Sequence, residues 1–191
     1  MNFGYPVFMN LQQKRCVVVG GGSVASRKIV SLLKCKAEVV VIAKQITEKL
    51  FNMNRKGRIQ WIQRGFWPSD LQKAWLVIAA TDDPEINRRI AKEAGNRRQW
   101  VNVVDQPHIC QFIVPAVVRK GRLALAVSTN GTSPALAKTI KKDLQKNFIP
   151  KYQKPLKKIS RFRKVVLSEI SEPLKRRRVL NQVTRNLLKI K

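Results

Sequence analysis

Residues 17–25 read Val-Val-Val-Gly-Gly-Gly-Ser-Val-Ala, an apolar β-branched run that feeds a glycine turn and then, at once, a helical pattern. No other stretch restricts the fold as much. Gly20, Gly22 and Ala25 satisfy G-x-G-x-x-A, the fingerprint of a dinucleotide pyrophosphate site. Gly20 lets the chain turn sharply after a strand, and Gly22 lets backbone approach a diphosphate. Ala25 lets the following helix lie close on a sheet, with its N-terminal amides and dipole toward the anion. A plain tight turn is the alternative, but the strand before it and the helix after it are both legible.

The pattern around this turn repeats. Strand-like runs at 15–19, 38–43, 58–62, 75–80 and 100–104 alternate with helical segments at 24–34 and 84–93. Ala25, Ile29, Leu32 and Leu33 share one face of the first helix. The Thr81-Asp82-Asp83 cluster supplies capping side chains for the second. Apolar strands alternating with helices make an α/β fold, a Rossmann-like doubly wound parallel sheet whose ligands bind beyond the strand carboxyl ends.

After Asp105 the pattern changes. Residues 112–118 and 123–128 predict an antiparallel hairpin about Arg119-Lys120-Gly121-Arg122. Ser133 as N-cap and Pro134 at the first helical position then predict a helix to about Lys146. Such a hairpin and helix have little core of their own. Beyond, Pro150, Pro155 and Pro173 are expected to punctuate short helical stretches. Leu156, Ile159, Phe162, Val166 and Ile170 recur at helical spacing, as do Leu174, Val179, Leu180, Val183, Leu187, Leu188 and Ile190. The division expected is 1–111 for the dinucleotide domain, 112–147 for the hairpin and helix, and 148–191 for a basic α-helical C-terminal domain.

Charge asks for an anionic partner. Lys and Arg number 39 against 11 Asp and Glu, a net charge of +28 over 191 residues. Nucleic acid, an anionic membrane surface or a multiply anionic small molecule each satisfy that balance. The apolar helical period through the C-terminal region favours packed helices with solvated basic faces over a nucleic-acid-binding tail. Cys16, Cys35 and Cys110 stand at no metal-ligand or redox spacing, so the expectation is reduced thiols in a cytoplasmic protein, with no metal site. Gly4, Pro6 and Asn10 interrupt the N-terminal apolar residues, and no window is apolar enough to span a membrane.

Asp105 is the outstanding titratable residue. It stands at the carboxyl end of the fifth strand, on the sheet edge of the glycine turn, where a carboxylate can exchange a proton with a substrate beside a nicotinamide. The alternative is a turn aspartate satisfying local amides ahead of Pro107. His108, the single histidine, is either a polar loop residue or a substrate contact. Ser128 and Thr129 are hydroxyls for a pocket or hairpin-end residues, with no adjacent base to make a nucleophile. The second strand ends Ala43-Lys44-Gln45, without the acidic residue that holds a ribose in most NAD-binding versions of the fold. From these residues NAD and NADP both stay open.

Several collinear segments together resemble the precorrin-2 dehydrogenase/sirohydrochlorin ferrochelatase family, the N-terminal module of siroheme synthase. They are Tyr5-Pro6-Val7-Phe8, VVVGGGSVASRK from Val17, AATDDPEINRR from Ala79, NVVD from Asn102, FIVPA from Phe112 and VSTNGTSPALAK from Val127. The resemblance implies NAD-dependent oxidation of precorrin-2 to sirohydrochlorin, in some members followed by Fe²⁺ insertion. It implies a homodimer built through the hairpin region and a helical C-terminal domain over the site. On it, Asp105 falls at the catalytic aspartate. Ser23, Val24, Lys44 and Gln45 fall where the family contacts the dinucleotide, with Gly20, Gly22 and Thr81 beside them. His108, Ser128 and Thr129 become substrate contacts, and the substrate is a polycarboxylate tetrapyrrole that a basic cleft attracts. Gln106 and His108 stand where many members carry acidic residues, Lys36 stands for the usual glycine after the first helix, and Asn130 for another in a serine-glycine turn. No methyltransferase domain follows in this sequence, so this chain is not expected to make precorrin-2 itself. The alternative function is a dinucleotide-sensing module that binds nucleic acid through its basic C-terminal region.

Overall fold

A computed structural model describes residues 4–188, which divide into two compact units at Val114 and Pro115. The first is a five-stranded parallel sheet in the order β3-β2-β1-β4-β5, from β1 (Arg15–Val19), β2 (Glu38–Ile42), β3 (Gln60–Ile62), β4 (Leu76–Ala79) and β5 (Trp100–Val103). Helices α1 (Ser23–Lys34), α2 (Glu48–Arg55) and α3 (Pro84–Asn96) connect the strands. Alternation along the strands builds two cores. Cys16 and Val18 of β1, Val39 and Val41 of β2 and Ile78 of β4 pack with Ile29 of α1 and Leu50 of α2. Val17, Val19, Val40, Ile42, Val77 and Val101 turn to the other face, against Ile90 and Ala94 of α3. Strands covered on both faces are apolar throughout, as a doubly wound sheet requires.

The expected sheet and helices are borne out, with shifted ends. β2 stops at Ile42 and β3 starts at Gln60, each short of the expected span, while α3 runs on to Asn96. Asp83 is the cap of α3, its Oδ1 accepting from the N–H groups of Glu85 (2.8 Å) and Ile86 (3.2 Å). Lys36 adopts the left-handed conformation, φ 59°, that closes α1, its N–H donating to Leu33 O. Burial pushes the Cys16 thiol up to about 12, so it is protonated and inert.

The second unit holds the hairpin β6 (Ala116–Lys120) and β7 (Leu123–Val127), then α4 (Pro134–Asp143), a π turn (Leu144–Phe148), α5 (Ile149–Glu169) and α6 (Pro173–Leu188). β6 begins four residues later than expected. Pro115 has no N–H and constrains Val114, so the ladder starts beyond it. Lys120 pairs with Leu123, leaving a two-residue turn with Gly121 at φ 58°. Ser133 caps α4, its Oγ accepting from Leu136 N–H at 3.1 Å.

The largest correction concerns the prolines. Pro150 and Pro155 do not separate short helices but lie within α5, which follows directly from the π turn. In an α register Pro150 would owe an N–H to Lys146 O. The wider turn, closed by Ile149 N–H on Leu144 O, absorbs that missing bond. α4 packs on the hairpin, and α5 packs on α6. Among the described residues, Val118, Ala137, Ile149 and Val166 are the buried apolar residues of this unit. Ile190, expected on the apolar face of α6, lies outside the described residues. Among the described residues no helix is long and apolar enough to cross a membrane.

Candidate functional site

The glycine turn is built by steric demand. Gly20 has φ 121°, and a Cβ there would lie 2.1 Å from Ala80 O. A Cβ on Gly21 would lie 2.0 Å from Gln45 O. The turn is therefore wedged between the ends of β4 and β2, pinned by Gly20 N–H on Ile42 O (2.9 Å) and Thr47 N–H on Gly21 O (3.0 Å). Gly22 differs, since nothing lies within 4 Å of the position its Cβ would take. It faces open space at the start of α1. The first turn of that helix has N–H groups without intrahelical partners, and fully buried Ala25 seats it on the sheet.

Three strand ends converge there on one cleft of about 580 Å³. Gly22, Ser23 and Val24 come from the β1–α1 turn. Thr81, Asp82, Asn87 and Arg88 come from the β4–α3 turn, and Asp105, Gln106 and His108 from the loop after β5. It lies outside the carboxyl edge of the sheet, where strand order reverses beside β1. Five of the candidate residues named from the sequence besides Gly22 line it, namely Ser23, Val24, Thr81, Asp105 and His108. Gly20 forms the turn behind it. Lys44 and Gln45 follow β2 at the same edge, and Gln45 touches the turn through its carbonyl. Ser128 and Thr129 belong to the second unit. There Ser128 Oγ accepts from Asn130 N–H (3.1 Å), and Thr129 Oγ1 accepts from Ser133 N–H (3.1 Å) while donating to Ser133 O (3.1 Å).

Four supporting residues were not visible as such in the sequence. Buried Asn87 clasps Thr81, accepting its hydroxyl at 2.8 Å and its N–H at 3.2 Å and donating to its carbonyl at 2.9 Å. The Thr81 side chain is thereby committed to holding the β4–α3 turn. Asn102, Cys110 and Lys28 hold the loop that carries Asp105. Asn102 Nδ2 donates to Phe112 O (3.0 Å), and Cys110 Sγ meets Val103 N–H (3.1 Å), Val103 O (3.2 Å) and Gln106 O (3.3 Å). Lys28, from α1, donates to Asn102 Oδ1 at 3.3 Å. Within that loop Asp105 has φ 59°, a left-handed conformation that a non-glycine residue holds only with support from its surroundings.

Comparison with known proteins accords with this geometry. A family model described as "Putative NAD(P)-binding" matches residues 7–116, and one described as "Sirohaem biosynthesis protein central" matches residues 120–147. The chain belongs to the putative NAD(P)-binding family that the first of these models describes. Siroheme synthase of Methylobacillus flagellatus is 40% identical over 172 residues, covering 90% of this chain and 37% of that protein. Siroheme synthase of Nitrosospira multiformis is 37% identical over 187 residues, covering 96% and 39%. The chain thus spans well under half the length of these curated relatives. The solved structure titled "SirC, precorrin-2 dehydrogenase" superposes with a TM-score of 0.82 at 26% identity, covering 97% of this chain and 98% of that one. The resemblance carried by the ordered motifs is borne out.

Proposed function

We propose that this chain oxidises precorrin-2 to sirohydrochlorin with NAD, in siroheme synthesis. The observation that carries the reading is a single cleft bringing Gly22, Ser23 and Val24 to Asp105. The residues fit a dinucleotide. Gly22 leaves open the space a Cβ would fill, beside the unpaired amides of α1, so a diphosphate can approach backbone there. The cofactor, when bound, supplies a hydride acceptor. Oxidation of precorrin-2 also releases a proton, and the Asp105 carboxylate takes it and passes it to water. Ser23 and Val24 orient the dinucleotide through the first turn of α1. Lys44 and Gln45 border its ribose, where no carboxylate opposes them. His108 faces the substrate side of the cleft.

The substrate class suits the charge, since a polycarboxylate tetrapyrrole is drawn to a strongly basic protein. The reading keeps the functional division at 1–111, 112–147 and 148–191, with Ser128 and Thr129 as substrate contacts and the protein in the cytoplasm. It includes a homodimer through 112–147. A two-stranded ribbon such as β6–β7 is marginal alone in water, and Leu136 on α4 is half exposed, both of which support a covering partner. The nucleic-acid alternative is not favoured, because the relatives named above are siroheme-synthesis proteins.

The test mixes the chain with enzymatically made precorrin-2 and NAD⁺ and follows sirohydrochlorin and NADH absorbance, with and without Fe²⁺ or Co²⁺. Turnover is expected, and none would refute the reading. Asp105→Ala is expected to lower kcat by on the order of 10²-fold or more while NAD⁺ binding survives.

A further inference from the structure

β5 is an outer strand of the sheet, so the backbone groups on its free edge take their partners from elsewhere. The loop after it turns at Val104 and Asp105, passes through the short turn Pro107–Ile109 and comes back along that edge. Gln111 N–H donates to Val101 O at 3.0 Å, and Cys110 meets Val103. Cys110 Sγ accepts from Val103 N–H at 3.1 Å, and its S–H reaches Val103 O (3.2 Å) and Gln106 O (3.3 Å). Asn102 Nδ2 lies 3.6 Å from the same sulfur. One atom therefore bridges the residue that ends β5 and the residue that follows Asp105.

We propose that Cys110 is a positioning residue for the oxidation: its sulfur ties Val103 to Gln106 and so fixes Asp105, between them, in the left-handed turn that sets it in the cleft wall. This rests on the role given to Asp105 under the proposed function. The turn needs such a tie. Asp105 has φ 59°, Pro107 brings no N–H, and the bonds of Ile109 N–H to Gln106 O and Cys110 N–H to Pro107 O are both long, at 3.3 Å. Asp105, Gln106 and His108 line the cleft, whereas Cys110 does not, so it acts through the loop rather than on substrate. A thiol suits the place because the same atom accepts an N–H and donates to a carbonyl. Alanine there would remove the acceptor of Val103 N–H and the bridge to Gln106 together. Cys110 also packs against the core that holds Val101 and Val103, and valine would keep that packing without the bridge.

Amide exchange reads the sulfur bond without any turnover. In the wild type Val103 N–H should exchange at least about tenfold more slowly than in an unfolded chain. Exchange at the unfolded rate overturns the proposal with no variant required. In Cys110→Ala and Cys110→Val that amide should speed up by about tenfold, and Cys110→Ser, whose hydroxyl also accepts and donates, should recover most of the protection. Kinetics then tie the bond to Asp105. With precorrin-2 and NAD⁺, kcat should fall on the order of tenfold in the alanine and valine variants, as for a displaced catalytic group, while the Kd for NAD⁺ changes by less than about twofold. Cys110→Ser should return kcat to within about threefold of the wild type. Wild-type kcat in Cys110→Val means that the residue only fills space, and serine no better than alanine means that the hydrogen bonds do not matter. Either result overturns the proposal, as does an unmoved kcat in folded Cys110→Ala whose Val103 amide has opened. Absence of any precorrin-2 oxidation by the wild type counts against the proposed function instead.

Discussion

In the first unit β1, β2, β4 and β5 send buried side chains to both faces of the sheet, and Ile29, Leu50 and Ile90 on the helices are fully covered. In the second, Val118, Ala137, Ile149 and Val166 make up the buried apolar set among the described residues, while Leu136, Phe162, Val165, Leu167 and Leu174 are exposed. Charge follows the same line. Residues 115–191 carry 21 basic and 3 acidic residues, against 18 and 8 in residues 1–114. One unit is held by its own core and can keep a cleft rigid. The other is a basic set of helices and a ribbon whose order leans on helix periodicity and on what covers its apolar faces.

The sharpest way to break this contrast is at a glycine. Gly20→Ala should cost about 3 kcal/mol or more by denaturant unfolding, because backbone of β4 would clash and φ is left-handed. Gly121→Ala, with nothing within 4 Å of its Cβ, should cost only about 1 kcal/mol, from φ alone. Equal costs would show that the turn in the first unit is not wedged as described.

Acid should act on the first unit through a pair the sequence did not reveal. Buried Asp70 accepts from Arg64 at 2.6 and 2.8 Å and from Trp67 N–H at 2.8 Å. Burial opposes its ionisation, but these bonds win and hold its pKa below the ordinary 3.8. A depressed folded pKa gives stability that is complete above 3.8 and is lost as pH falls through the lower folded value. Thermal unfolding of the first unit should therefore weaken below about pH 4, and Asp70→Asn should flatten that dependence.

Salt should act on the second unit. Its excess of like charge repels itself, so raising ionic strength should slow amide exchange in α5 and α6 more than in β1 and β4. A uniform response would remove the distinction. The smallest effect is expected at Lys36, where Lys36→Gly should stabilise the first unit by about 1 kcal/mol or less, by relieving a left-handed lysine. A calorimetric scan would read it.

Much of the first unit was legible because its signals are local. A strand covered on both faces is apolar along its covered length, and β4 is so throughout, as are β1 and β2 beyond their first residues Arg15 and Glu38. Asp83 caps α3 through atoms two and three residues away, a distance at which sequence spacing is geometry. The second unit was less legible for the opposite reason. Pro150 and Pro155 are strong breakers in isolation, yet α5 carries through both, and the widened turn after α4 shows how it accommodates Pro150. Pro115 moved the start of β6 because ladder hydrogen bonds, not hydrophobicity, decide where pairing begins.

The site divides in the same way. That Gly20 and Gly22 flank a tight strand-to-helix turn, and that Asp105 follows a strand on the same edge, could be read from residue types and period, since in a parallel sheet every strand's carboxyl end lies on one side. Which side chains hold those groups in place was decided by how the helices and loops pack on the sheet of order 3-2-1-4-5. Asn87 on Thr81, Cys110 on Val103 and Lys28 on Asn102 pair residues 6, 7 and 74 positions apart, respectively. Such partners carry no periodicity. They meet because helices and loops are laid on the sheet, and a hydrogen bond forms only where that packing brings donor to acceptor.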